Sequence, residues 1–483
     1  MRCHPLSQRM AMNSPPHDPY DLIVTANQLR QQGRLRDALL HCDAALQIDP
    51  HFVIAWLERG YAFASGGSMH SAADCYGQAL ACDPDCAPAH AGLASIAARD
   101  GDSPEGRCHA LAALLIEPSN AVAAAALATM ELESGGAAAA RALVEPLVAA
   151  INRPDADRAL LAGILGDACD RLGDVDAAYR AYVLCKGDFA ELNAPLFAGR
   201  WTHREFVEQV HAGLLAMDPS GWRPGSALRP TGSAATHVFL LGYPRSGNTL
   251  MENILASIPG VCALEERPTL RNSDMEFLVH DAGLERLSSL NEAEVDPFRQ
   301  AYWDKVVESG ADLSGGAFVD MDPLKSLRLP LIARLFPDAR VLIMRRDPRD
   351  VLWSCFHTNF ALTNAAMEFT SLEATARHYD AMMCLIDSAL EHLPLSAMEV
   401  HYHRLVQDFT TQTREICEFL QLPWTQELSR FDKTARTRGV STASAGQVRK
   451  GLYDGTRQWQ RYAHFLEPVM PILQPWIERF GYD

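Results

Sequence analysis

The sequence predicts two folded parts of different class: an all-helical repeat array up to about residue 190, and a three-layer α/β domain with a mainly parallel sheet from His237 to Asp483. Three observations carry this. Pro50, Pro84 and Pro118 stand 34 residues apart, with small residues recurring in the same register. At His237 the pattern changes to a short unbroken apolar run, His237-Val-Phe-Leu-Leu-Gly242, as a buried parallel strand requires. That run leads into the loop Gly242-Tyr-Pro-Arg-Ser-Gly-Asn-Thr249 and then into a helix, Leu250 to Ile258, stopped by Pro259-Gly260. At 483 residues the chain has room for two or three domains.

In the first part, small residues fall in columns: Ala26, Gly60 and Ala94; Ala38, Ala72 and Gly106; Ala45, Ala79 and Ala113. Each unit reads as two helices joined by a tight turn. Small side chains let the helices approach, and the proline closes the unit. Trp56, Gly60, Ala72, Tyr76, Ala79 and Pro84 match the tetratricopeptide pattern. The register weakens at Ala128, Ala140 and Leu147, then returns at Leu165, Gly166, Ala178, Tyr182 and Cys185. Five helical hairpins are expected over residues 19–190, behind a disordered tail, residues 1–18. Such arrays offer a concave surface that holds a peptide or another protein. The other reading is an array that merely packs on the second domain. Residues 191–236 read as an amphipathic helix near Phe206 to Met217 followed by a Pro/Gly/Ser-rich linker, Asp218 to Ser233.

Net charge is −17, which argues against a nucleic-acid surface as the main function. Only five of the 43 basic residues are lysine, so each lysine in a phosphate site has to be weighed individually. Met1 to Tyr20 lacks the apolar core of a signal peptide, and no apolar run reaches the roughly 18 residues of a membrane span. No membrane partner is expected. The twelve cysteines are scattered, and the closest pair, Cys82 and Cys86, has no matching His or Cys pair. They read as free thiols in a reducing, cytoplasmic compartment.

The loop has the spacing of a P-loop, but Asn248 stands where the phosphate-binding lysine belongs. A nucleotide kinase needs that lysine on the β/γ-phosphates, which weighs against the kinase alternative. The cation comes earlier, at Arg245. Ser246, Gly247, Asn248 and Thr249 supply backbone and hydroxyl donors at a helix start, where an anion is favoured.

The segment PRSGNTLM, followed closely by LEERP, resembles the 5′-phosphosulfate loop of the sulfotransferases. It is most similar to the tyrosylprotein sulfotransferases and their bacterial tetratricopeptide-fused relatives. A second block, Ala339-Arg-Val-Leu-Ile-Met-Arg-Arg-Asp-Pro-Arg-Asp-Val-Leu-Trp-Ser354, is similar to the family's 3′-phosphate site, with Arg346 and Ser354 at the matching positions. A third, Ser444-Ala-Gly-Gln-Val-Arg-Lys450, is similar to the segment that closes over the nucleotide, with Ser444 and Lys450 as phosphate contacts. Tyr402 matches a nucleotide-contacting tyrosine. The resemblance implies 3′-phosphoadenosine 5′-phosphosulfate (PAPS) as donor, no metal, and transfer of a sulfuryl group to a hydroxyl, a peptide or protein tyrosine foremost. It implies that the array presents the acceptor or a partner.

The resemblance places the catalytic base on Glu266, with Arg245 as the main anion-binding cation; by residue type alone Glu265 also qualifies. Arg267 and Arg271 are candidates for acidic groups on an acceptor, or solvated surface arginines. The family pattern has a lysine where Val319-Asp-Met-Asp-Pro323 has Met321, a lysine that contacts the leaving oxygen. Lys325 is a candidate substitute. The alternative is a repeat scaffold with a weakly active or inactive nucleotide-binding domain. His357, His401 and His403 show no catalytic order or metal spacing and read as structural. Strands are expected near Val238–Leu241, Ala317–Asp320, Arg340–Met344 and Met398–Tyr402.

Overall fold

A computed structural model describes residues 18–101, 103–217, 222, 234–280, 282–438, 448–449 and 451–482, without the side chain of Asp100. The expected tail and the linker Asp218 to Ser233 therefore lie outside the described residues, Asp18 and Trp222 excepted, as do Ser444 and Lys450. The chain divides into two compact units, Met1–Asp188 and Phe189–Asp483.

The first unit is built of helical hairpins. Pro19–Gln31 pairs with Leu35–Ile48, Val53–Ser65 with Met69–Cys82, and Ala87–Asp100 with Pro104–Ile116. Ala121–Glu133 pairs with Ala137–Ala150, and Ala156–Arg171 is followed by Val175–Phe197, which runs on past the end of the unit. This is a tetratricopeptide-type array, as the proline register predicts. Ala26, Ala38, Ala45, Ala72, Ala79 and Ala94 are buried where helices cross. The Tyr76 ring fills the space left by two glycines: a Cβ on Gly60 or Gly92 would lie 2.4 or 2.6 Å from it. Gly166 leaves the same space for Tyr182.

A second periodicity accompanies the prolines. Gly33, Gly67, Gly101 and Gly135 lie 34 residues apart, and all have positive φ. Each ends the first helix of its hairpin, where a left-handed residue costs a glycine little. The fourth hairpin thus keeps strict register, although Ala128, Ala140 and Leu147 suggest decay. Gly173 follows 38 residues after Gly135, mainly because Ala156–Arg171 has 16 residues where Ala121–Glu133 has 13. Two buried carboxylates in the array are paired: Arg30 Nε lies 2.6 Å from Glu58 Oε1, and Arg158 grips Asp188 through two bonds of 2.7 and 2.6 Å.

The second unit includes helix His203–Ala216, whose start is fixed by a reciprocal cap between Thr202 and Glu205. Its buried residues Val207, Val210 and Leu214 form the face that packs on the long helix Leu372–His392. The sheet has five parallel strands: β1 Thr236–Leu241, β2 Val261–Glu265, β3 Ala317–Met321, β4 Arg340–Arg345 and β5 Ser396–His401. Their order is β2-β3-β1-β4-β5, with β1 between β3 and β4. The four expected strands are present. β2 is an addition, a short half-buried edge strand directly after Pro259-Gly260.

Alternation of side chains along the strands builds two covered faces. Val238, Leu240, Val319, Met321, Leu342 and Met344 pack on one side with Met251, Ile254 and Leu255 of helix Asn248–Leu255 and with helix Phe409–Leu420. On the other side Phe239 and Phe318 meet an aromatic group made of His237, Tyr302, Trp303 and Phe336. β1 leads to β2 on one side of it and β3 leads to β4 on the other, so the connections part at the C-terminal end of β1, the usual ligand position in such sheets.

Candidate functional site

The loop leaving β1 turns on two glycines. At Gly242 a Cβ would stand 2.8 Å from the Met344 carbonyl, and at Gly247, φ 104°, 2.8 Å from the Tyr402 ring. The backbone therefore lies flush against β4 and Tyr402. Ser326 clamps the loop start: its hydroxyl accepts from Gly242 N at 2.9 Å and donates to Gly242 O at 2.7 Å. Asn248, at the position of the absent lysine, donates to Tyr243 O at 3.0 Å. Its amide closes the loop on itself, so this residue has a structural task in place of the lysine's. Tyr243 is pinned from behind by a buried chain, its hydroxyl 2.6 Å from His378 Nδ1 and His378 Nε2 2.8 Å from His203 Nδ1. Ser246 and Thr249 are buried in the same loop.

Arg245 adopts a left-handed backbone, φ 68°, which turns its side chain toward the second block. Its Nε donates to Ser354 Oγ at 2.9 Å. Arg346, just past the end of β4, donates through Nη1 to Arg245 O at 2.9 Å and through Nη2 to Gly455 O at 2.5 Å. Its guanidinium lies 5.1 Å from the centre of the Tyr402 ring, and the Tyr402 hydroxyl donates to Tyr453 O at 2.6 Å. Asp350, on helix Pro348–His357, accepts from the amides of Arg457 and Trp459 at 2.8 and 3.0 Å. The C-terminal stretch is thus tied to the Arg346 block. Burial, and then the charge of Arg346, hold the Arg245 guanidinium at about 10. Two half-buried cations so placed gain from an anion between them.

Glu266 follows β2 in a left-handed conformation, φ 45°, held by a 2.7 Å bond from its amide to Met321 O. It faces a cleft of about 390 Å³ whose walls include Arg245, Gly247, Asn248, Thr249 and Asp322. The residue is more than a third exposed, yet enough protein surrounds its carboxyl to desolvate it in part. Burial, and then the charges of Asp322, Glu265 and Glu252, raise it to about 7. Glu265 is the last residue of β2, and it is Glu266 that lines the cleft. Glu252 is buried and also raised to about 7 by burial; Arg438 donates to its Oε1 at 2.9 Å.

Met321 and Lys325 answer the question of the absent lysine. Met321 is in register with Leu240 and Glu265, and its side chain goes down into the core. Lys325 does not replace the lysine. It is buried, with Nζ 2.5 Å from Asp320 Oδ1, 3.0 Å from Thr269 Oγ1 and 3.1 Å from Arg267 O. It supports the chain after Glu266 from beneath and does not line the cleft. Arg267 and Arg271 are exposed and stand off the cleft wall, which favours the solvated reading for both.

Two parts of the wall were not read from the sequence. Asp322 caps the 3₁₀ helix Pro323–Arg328, accepting from Leu324 N at 3.0 Å. The segment after helix Pro348–His357 supplies Phe360, Ala361, Thr363, Ala366 and Phe369. The Asp-Pro pair at 322–323 is a helix-start signal; nothing local marks the second segment. His401 and His403 each keep Nδ1 buried without a partner, and burial lowers both rings, His401 to about 4. Among the described residues no group of three or more His, Cys, Asp or Glu is placed to hold a metal.

The chain is similar to several known proteins. The sequence model of the Sulfotransferase family matches residues 237–426. An uncharacterised protein of Aquifex aeolicus is 31% identical over 247 residues, 49% of this chain and 32% of its own length. The chain thus spans about a third of that relative. Protein-tyrosine sulfotransferase 1 of Danio rerio is 26% identical over 260 residues, 51% of this chain and 72% of its own. The sulfotransferase domain of the Synechococcus PCC 7002 olefin synthase aligns at 21% identity and TM-score 0.36, covering 52% of this chain and 96% of that one. No helix among the described residues is long and apolar enough to cross a membrane.

Proposed function

We propose, for a chain that joins a tetratricopeptide-type array to a domain of the sulfotransferase family at residues 237–426, that it transfers a sulfuryl group from PAPS to a hydroxyl acceptor. The observation that carries this is the convergence of Arg245, Arg346 and Ser354, residues of two distant blocks, beside a cleft that also holds Glu266. The glycine-lined cradle and its paired guanidinium groups fit a doubly phosphorylated nucleotide. Arg245 and the amides of residues 246–249 hold the 5′ side. Arg346 and Ser354 hold the 3′-phosphate, Tyr402 borders it, and Ser444 and Lys450 close over it. Bound there, the donor supplies the sulfuryl group: the acceptor oxygen bonds to sulfur as the bridging S–O bond breaks toward the 5′-phosphate.

Glu266 accepts the hydroxyl proton. A carboxylate near pH 7 is matched to that task. Arg245 and the loop amides stabilise charge on the departing oxygen, the role that Met321 leaves without its family cation. The names of the relatives favour a tyrosine of a peptide or protein as acceptor, with the array holding that acceptor or a partner. Incubation of the full chain with sulfur-labelled PAPS and a tyrosine peptide tests the reading. Label appears on the peptide with the native chain and is lost in Glu266→Gln. A chain that binds the nucleotide but moves no label is the repeat scaffold with an inactive domain.

A further inference from the structure

The charges around the cleft do not balance. Glu266 and Asp322 both stand on its wall. Glu265 and Glu252 are close enough to act on Glu266, as is Lys325 with the opposite sign, and Glu252 is itself paired with Arg438. On the positive side, Met321 replaces a lysine with a core side chain, and Lys325 turns its charge inward to Asp320. Arg267 and Arg271 are off the wall. Among the described residues Arg245 is the cation on the cleft wall, and it is engaged with Ser354 and packed beside Arg346, on the phosphate side. A bound nucleotide takes up that charge, leaving the acceptor end acidic. The remaining wall carries Leu324, Phe360, Ala361, Ala366 and Phe369 beside the polar Asn359 and Thr363, and its apolar part suits a ring.

We infer that the cleft selects a phenolic acceptor with an ammonium or other cationic group near its ring, that Asp322 is the residue that reads this group, and that acceptors with a carboxylate at the same place are rejected. The inference rests on the cleft being the acceptor site of the proposed transferase. Asp322 keeps Oδ1 on the amides of Leu324 and Lys325, so its charge is fixed at the wall and does not swing away. The enforced carboxyl–carboxyl proximity to Glu266 costs free energy that an acceptor cation offsets.

The test uses three phenols of nearly equal shape: tyramine, 4-ethylphenol and 3-(4-hydroxyphenyl)propionate. Each is titrated calorimetrically into the full chain saturated with 3′,5′-bisphosphoadenosine, so that binding is read without turnover. Tyramine is expected to bind at least tenfold tighter than the propionate, with ethylphenol between. Asp322→Asn, which retains the helix cap, should lower the tyramine preference over ethylphenol to near unity. Equal affinity across the three, a reversed order, or no phenol binding at all overturns the inference. In the last three cases nucleotide binding, measured first in the same cell, leaves the donor reading standing; its absence removes that reading instead.

Discussion

Lys325 Nζ lies 2.5 Å from Asp320 Oδ1, and both side chains are buried beneath the residues that follow Glu266. Tyr302 and Thr269 fill the other Asp320 oxygen at 3.0 and 2.8 Å. The pair belongs to the frame of the site and explains why Lys325 is no stand-in for the lysine absent at 321.

Breaking this pair from one side leaves an uncompensated buried carboxylate. Lys325→Met is expected to lower the unfolding free energy by about 3–5 kcal/mol, and Asp320→Asn in the same chain to recover a large part of it. Urea denaturation of the single and double variants measures the coupling. Simple addition of the two single effects would contradict it.

The rate of transfer should rise with pH through about 7 and level off above, because Glu266 acts in its unprotonated form and its carboxyl sits near that value. Asp322→Asn removes the like charge that acts on it most and moves the limb to lower pH. The sign for stability is opposite. The folded chain binds this proton more tightly than the unfolded chain, so the contribution of Glu266 to stability falls as pH rises from the ordinary carboxylate value toward 7. Rate profiles on the native chain and the Asn variant check both the position and the direction of the limb.

Gly247→Ala places a methyl group 2.8 Å from the Tyr402 ring on a backbone of φ 104°. The loop or Tyr402 must shift. A loss of about 1–3 kcal/mol in stability is expected, together with weaker nucleotide binding. Thermal denaturation with and without 3′,5′-bisphosphoadenosine separates the two: the ligand-induced rise in Tm should shrink.

In the array, Gly166→Ala pushes a Cβ to 2.4 Å from the Tyr182 ring, which is buried and donates its hydroxyl to Asp167 at 2.8 Å. Overpacking of this kind costs about 1–3 kcal/mol. Hydrogen exchange should show the loss in residues 156–188, with the exchange of residues 236–345 unchanged.

The sequence carries the array and the sheet to different depths. The 34-residue columns announce the hairpins, and the glycines at 33, 67, 101 and 135 carry the same period through the stretch where the alanine columns fade. Strands β1, β3 and β4 are legible because they are buried on both faces and read as apolar runs. Val261–Glu265 is not, because a half-buried edge strand of five residues has neither a continuous run nor a clean alternation. Arg245 and Arg346 are found from the loops that hold them. The inward course of Met321 follows from its sharing a face with Val319, a period-2 relation available in the sequence. The engagement of Lys325 with Asp320, the place of Asp322 on the wall, and the contribution of Phe360 and Phe369 depend on how separate segments meet. No local pattern encodes that.

Calorimetric titration of the full chain with 3′,5′-bisphosphoadenosine tests the central claim most directly. Arg346 donates to Arg245 O and Gly455 O and lies over Tyr402, so it joins three segments of the candidate site. The native chain is expected to bind the nucleotide. Arg346→Ala should weaken binding at least tenfold, and Arg346→Lys should not restore it, since an ammonium cannot reproduce the planar fork. Absence of binding by the native chain, or undiminished binding by Arg346→Ala, would contradict the assignment of this site to a phosphosulfate nucleotide.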